Sequence, residues 1–84
     1  YPNPFNSGVS FKVDVPRETS LKISIYSSQG RLVRTVIDKT SPAGSYTFRW
    51  DGLNELGKSA AGGVYFIKMN APGLSGVQKV LLLR

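Results

Sequence analysis

Asp14, Glu18, Asp38, Asp51 and Glu55 are the only carboxylate side chains in this 84-residue chain, which has no histidine and no cysteine. That inventory excludes zinc sites built on Cys and His, Cys–His nucleophiles and any Ser–His–Asp arrangement. Of the five, only Asp51 and Glu55 lie close in sequence. Glycoside hydrolysis needs two carboxyls facing each other across a cleft, and so short a chain has little volume for one. The pair is therefore read structurally, with Asp51 accepting from backbone amides of its own loop and Glu55 solvated. Gly73-Leu74-Ser75-Gly76 falls short of the spacing of a nucleophile elbow. The loop from Asp51 to Gly57 lacks the ligand spacing and bidentate acid of a calcium loop, so it reads as a structural turn. No catalytic residue, cofactor site or metal ligand is expected.

Two other chemistries remain. Tyr46, Phe48 and Trp50 recur with period two and share one face of a strand. Exposed, they would form a platform for a sugar or a single-stranded nucleic acid; buried, they are core, which is the favoured reading. The second is charge: 11 Lys+Arg against 5 Asp+Glu give a net charge of +6. A nucleic-acid surface would gather that charge into a patch with stacking aromatics. Here Lys12, Lys22, Arg31, Arg34, Lys39, Arg49, Lys68 and Lys79 are spread over almost every strand, a pattern that serves solubility and edge protection. No nucleic-acid partner is expected.

The elements that carry these residues are strands. Val9, Phe11, Val13 and Val15 alternate with Ser10, Lys12 and Asp14, predicting a half-buried strand that Pro16 ends. Leu21, Ile23 and Ile25 alternate with Lys22, Ser24 and Tyr26 in a second. A third, Arg31 to Asp38, is β-branched but less regular, and Ser45 to Asp51 is the fourth. Residues 52–63 hold four glycines and no strand pattern, making the longest loop. Val64 to Asn70 is the fifth strand, Ala71 to Gly76 a turn, and Val77 to Arg84 the sixth, while the opening segment offers a seventh.

Short strands at regular spacing without a helical period predict an all-β sandwich. Its expected core is Phe11, Val13, Leu21, Ile23, Ile25, Val36, Phe48, Trp50, Tyr65, Ile67, Leu81 and some of their neighbours. Without cysteine it must fold on packing alone. The longest aliphatic run, Val80 to Leu83, is far too short to span a membrane. The chain opens with Tyr1 and has its one methionine at Met69, so residues 1–84 read as a single domain excised from a larger protein.

The two ends and the central loop carry a resemblance. Tyr1-Pro2-Asn3-Pro4-Phe5-Asn6 is a stiff, extended entry, because each proline fixes its own φ and disfavours helix before it. Asn3 and Asn6 can close local turns, and Tyr1 and Phe5 can tuck onto the sandwich edge. Together with Trp50-Asp51-Gly52-x-Asn54-x-x-Gly57, Gly63-Val64-Tyr65-Phe66 and the terminal Lys79-x-Leu81-Leu82-Leu83-Arg84, this opening resembles the type A C-terminal sorting domain of the type IX (Por) secretion system of Bacteroidetes-like bacteria. A similar pattern occurs in the immunoglobulin-like domain of flagellar hook-capping proteins. The resemblance covers the whole chain. It departs at Ser7, where a proline often follows the opening motif, at Gly62-Gly63, and at Arg84, where lysine is commoner.

What the resemblance implies is an immunoglobulin-like antiparallel β-sandwich of six to seven strands that serves as an address. Such a domain follows a cargo domain in the same chain and is recognised, folded, by outer-membrane secretion machinery. A cell-surface sortase then removes it by cleaving in the linker ahead, and the cargo is either anchored to lipopolysaccharide or released. The protein would sit in the periplasm in transit and then at the cell surface or outside the cell. On the family pattern, the recognition residues are Gly63, Tyr65, Lys79, Val80, Leu81, Leu82, Leu83 and Arg84. A last strand lying on a sheet edge would present backbone groups and basic side chains to a partner. The alternatives are a structural immunoglobulin-like module of an extracellular enzyme or flagellar cap, and a small carbohydrate-binding module using Tyr46, Phe48 and Trp50. The last of these requires an exposed Trp50.

Overall fold

The computed structural model describes residues 3–84, with side chains from residue 6 onward. Tyr1 and Pro2, and the side chains of Asn3, Pro4 and Phe5, lie outside the described residues; so does the expected tucking of Tyr1 and Phe5. Seven strands follow in order: β1 (Asn3–Phe5), β2 (Val9–Val15), β3 (Thr19–Ser27), β4 (Leu32–Ser41), β5 (Gly44–Trp50), β6 (Gly63–Ala71) and β7 (Leu74–Leu82). They form a five-stranded sheet of order β1-β7-β6-β3-β4 and a two-stranded sheet, β2-β5. All neighbours are antiparallel except β1, which pairs with β7 in parallel. The all-β immunoglobulin-like sandwich expected from the sequence is the fold observed. No helix among the described residues is long and apolar enough to cross a membrane.

Alternation decides what each strand buries. In β2 the odd residues Phe11, Val13 and Val15 face in, while Lys12 and Asp14 face solvent. In β3 Leu21, Ile23 and Ile25 are fully buried, and Trp50 joins them from the end of β5. Phe11 and Phe48 pair across β2-β5, with ring centroids 6.0 Å apart. Apolar side chains from both sheets thus share one core, the ordinary solution for two packed layers.

Of the expected core, Val36 and Phe48 pack against it without full burial, and Leu81 lies outside it. Val36, Phe48 and Leu81 are only half-buried, while Val15, Ala60, Val80 and Leu82 complete the core. Val36 lies at a register break, since Ile23 pairs with Ile37 and Ser24 with Thr35. Leu81 faces away from the core because β7 starts earlier than the sequence suggests. Its turn is only Pro72-Gly73, flanked by the pair Ala71–Leu74. Proline presets the first corner of such a turn, and Gly73 takes φ +72°, a conformation costly for other residues. This short hairpin fixes the register Tyr65–Val80, so the even residues of β7 point inward.

Candidate functional site

The candidate site is the end of the sandwich where the 51–62 loop, the start of β6 and the last residues of the chain meet. The loop is held mostly by its own side chains. Asp51 Oδ1 accepts from the Leu53 amide at 3.0 Å, as its sequence predicts. Asn54 Oδ1 accepts from the amides of Leu56 and Lys58 at 2.9 and 3.0 Å, and the Gly57 amide donates to the Asn54 carbonyl at 2.9 Å. The Trp50 indole, fully buried, donates to the Leu53 carbonyl at 2.9 Å. The residues of the Trp-Asp-Gly-x-Asn-x-x-Gly pattern are therefore turn-closing and core groups. Glu55 is not simply solvated: its carboxylate accepts from the Thr35 amide at 2.5 Å, and its own amide donates to the Val33 carbonyl at 3.0 Å.

Arg84 fastens the end of the chain to this loop. Its Nε donates to the Ala60 carbonyl at 3.2 Å and its Nη2 to the Gly52 carbonyl at 3.1 Å. Gly52 also accepts from the Ala60 amide at 2.9 Å. Glycine is required at position 52 by its φ of +81°, and a Cβ there, 2.9 Å from Arg84 Nη2, would push the guanidinium off its bond to the loop. At Gly62 a Cβ would lie 3.2 Å from Arg84 Cβ and 3.3 Å from the Leu82 carbonyl, so a glycine lets the last residues pass close to the loop.

The expected recognition residues divide into three groups. Tyr65, Val80 and Leu82 point inward and are buried. Tyr65 stands edge-on to Trp50, centroids 5.1 Å apart, and its hydroxyl donates to the Ala61 carbonyl. Burial raises its pKa above the ordinary 10.0, and the Arg84 charge partly opposes that shift. Lys79 and Leu81 lie on the opposite face, and Leu83, just past the end of β7, is half exposed. Gly63, opposite Leu82, and Arg84 belong with the loop. The last strand is not an edge strand over its whole length, because β1 pairs with its residues Val80–Leu82.

Sequence reasoning missed the neighbours of Lys79. Phe66 pairs directly with Lys79 and Val64 with Leu81, while Lys68 lies opposite Val77 with its Nζ 5.2 Å above the Tyr26 ring. Alternation counted back from the Pro72-Gly73 turn would have found this row. The aromatic platform proposed for sugars does not form, because Trp50 has no exposed surface and Tyr46 and Phe48 pack against the core. Among the described residues, no group of three or more His, Cys, Asp or Glu side chains comes together to hold a metal. Chemically, the site offers recognition by shape, apolar contact and positive charge.

A two-layer antiparallel sandwich with loop-closing Asp and Asn residues and a docked terminal strand defines an immunoglobulin-like module. The chain belongs to the FlgD Ig-like domain family, which matches residues 3–74. Its fold is similar to part of dimeric latent PorU from Porphyromonas gingivalis, with a TM-score of 0.73 and 20% identity, covering 99% of this chain and 9% of that one. It is also similar to FlgD from P. aeruginosa, with a TM-score of 0.66 and 23% identity, covering 89% of this chain and 60% of that one. The chain thus spans only part of each of these proteins. No curated protein matches it by sequence.

Proposed function

We propose that this non-enzymatic domain is a C-terminal sorting signal, following a cargo domain in a longer chain. The folded sandwich directs that cargo through the type IX outer-membrane machinery and is then removed by a cell-surface sortase. Transit runs through the periplasm to the cell surface or beyond. The observation that carries this reading is how the last strand is held. Parallel pairing with β1, antiparallel pairing with β6 and the Arg84 contacts hold β7 firmly. Lys79 and Leu81 then face outward in fixed positions beside Phe66 and Val64, with exposed Leu83 just past the end of the strand. A folded signal needs such a rigid display, since ordering a flexible segment on binding costs affinity. The motif resemblance from Tyr1 to Arg84 supports the same reading, as does the fold shared with part of latent PorU.

The family match favours a second reading, a structural immunoglobulin-like module of an extracellular enzyme or flagellar cap. That match ends at Leu74, where β7 begins. The two readings part at β7 because only the sorting reading gives its outward residues a partner. Deleting the strand would remove buried Val80 and Leu82 and unfold the domain, so the test uses outward residues. A reporter with a signal peptide, fused ahead of residues 1–84 in a host with type IX machinery, should be exported. The pair Lys79→Glu and Leu83→Ser should abolish export while the purified domain keeps its melting temperature. Undiminished export of that variant would leave the structural module as the better account.

A further inference from the structure

Among the described residues, one stretch of a sheet edge has no strand paired to it. The residues flanking a two-residue hairpin loop exchange both backbone hydrogen bonds, and pairs beyond them alternate. With Ala71–Leu74 as that first pair, Ser75, Val77 and Lys79 direct their N–H and C=O groups away from β6. Among the described residues, β1 pairs with this outer edge of β7 from Val80 to Leu82. Beside this stretch lies a groove of about 240 Å³ between the two sheets, whose lining includes Phe11 and Val13 with the charged Lys12 and Asp14 of β2, Met69 of β6, and Gly76 and Gln78 of β7.

Gly76 keeps that groove open. Its φ lies outside the left-handed region, and a Cβ would meet only Met69 Cε, at 3.8 Å, an ordinary contact. Neither backbone conformation nor crowding demands a glycine there, unlike at Gly52. The consequence of the missing side chain is an inward-facing hole over Met69, at an edge that already accepts a strand one step further along.

We infer that the edge of β7 from Leu74 to Lys79 is a strand-addition site for an extended segment of a protein partner. Residues of that segment opposite Gly76 and Gln78 point into the groove, so the first of them is apolar. Residues opposite Val77 and Lys79 point to the outer face, where an acidic side chain meets Lys79. Main-chain bonds supply affinity and the groove supplies selectivity, as in strand addition generally. Continuity with the β1–β7 pairing argues for a strand rather than a helix or a sugar. The inference extends the sorting reading to a mode of binding, with a readout independent of export.

The test titrates the isotope-labelled domain with short synthetic peptides alternating valine and threonine, with and without one glutamate. Amide exchange at Ser75, Val77 and Lys79 should slow by about tenfold or more on saturation, with tighter binding for the glutamate peptides. Gly76→Val fills the groove and should weaken binding at least about tenfold. Val77→Pro removes an edge donor that β6 does not use, and should do the same if Gly76→Val perturbs folding. Unchanged exchange with every peptide would overturn the inference, as would undiminished binding to both variants. Protection of the same amides by self-association, without peptide, would assign the edge to a second copy instead.

Discussion

The two long edges of the five-stranded sheet are treated differently. β4 ends one side, and the 51–62 loop covers it: Glu55 accepts from Thr35 and donates to Val33, and Arg34 Nη1 donates to the Asn54 carbonyl at 3.2 Å. On the other side, β1 covers β7 over three residue pairs, and among the described residues the stretch before them has no paired strand. Unpaired edges invite association, and proteins ordinarily blunt them. A chain that spends its longest loop closing one edge, yet keeps a glycine-floored gap beside the other, separates a protected side from a receptive one. The loop is thus more than a connector. It is the structural half of the contrast, and the β6–β7 hairpin is the functional half.

The largest break in this contrast comes from the anchor of the loop. Trp50→Ala removes a fully buried ring together with its bond to the Leu53 carbonyl. Truncations of that kind cost about 3–5 kcal/mol. Chemical denaturation should register that loss, and amide exchange at Thr35 and Glu55 should accelerate as the loop releases β4. If the stability falls but Thr35 stays protected, then the loop does not depend on Trp50 for its seat on the edge.

A smaller change opens the closed edge by itself. Glu55→Ala takes away the acceptor for the Thr35 amide. A hydrogen bond to a charged group contributes about 1.5–3 kcal/mol, and exposure of Glu55 brings the expected loss below that, to about 1 kcal/mol. Thr35 exchange should rise while Ser75, Val77 and Lys79 remain as they are. Equal changes on both sides would mean that the edges are not independent.

How much of this was legible in the sequence depends on whether local pattern or distant pairing set each feature. The strand Val9–Val15 was readable to the residue, because its alternation is strict and Pro16 cannot continue it. The sandwich followed from several such segments. β4 was blurred by its two register breaks, which interrupt the period of two near Val36 and Val33. The run Val80 to Leu83 has no alternation at all, so its phase was open until the Pro72-Gly73 hairpin tied Val80 to Tyr65. Within the site, the self-closing roles of Asp51 and the burial of Trp50 were local and foreseeable. The Glu55–Thr35 bond joins residues 20 apart and Arg84–Gly52 residues 32 apart, and no spacing rule signals either.

Alkaline titration sharpens the role of the Arg84 fastening. Burial keeps the Tyr65 hydroxyl protonated above the ordinary 10.0, while the nearby Arg84 charge pulls the other way. A pKa raised on folding contributes stability that is complete below the unfolded value and is lost as pH rises through the folded one. Stability should therefore decline above pH 10.0, and Tyr65→Phe should remove that share of the decline. Arg84→Gln should move the Tyr65 transition to still higher pH, followed by the ring carbon shift in NMR. A transition that moves down instead would mean that the guanidinium does not act on the hydroxyl.

The smallest expected effect on stability is at Lys79, and that is what makes it informative. Its side chain is exposed on the outward row, so Lys79→Glu should shift unfolding by no more than about 0.5 kcal/mol. The same change reverses the charge beside Phe66 and at the end of the bare stretch of β7. Peptides carrying glutamate should then lose their advantage over those without it, whereas binding through the backbone of Ser75 and Val77 should persist. A residue that matters only to the fold would alter neither preference. If Lys79→Glu instead destabilised the domain by as much as Glu55→Ala, the open edge would be a structural surface like the closed one, and the asymmetry between the two sides would lose its functional meaning.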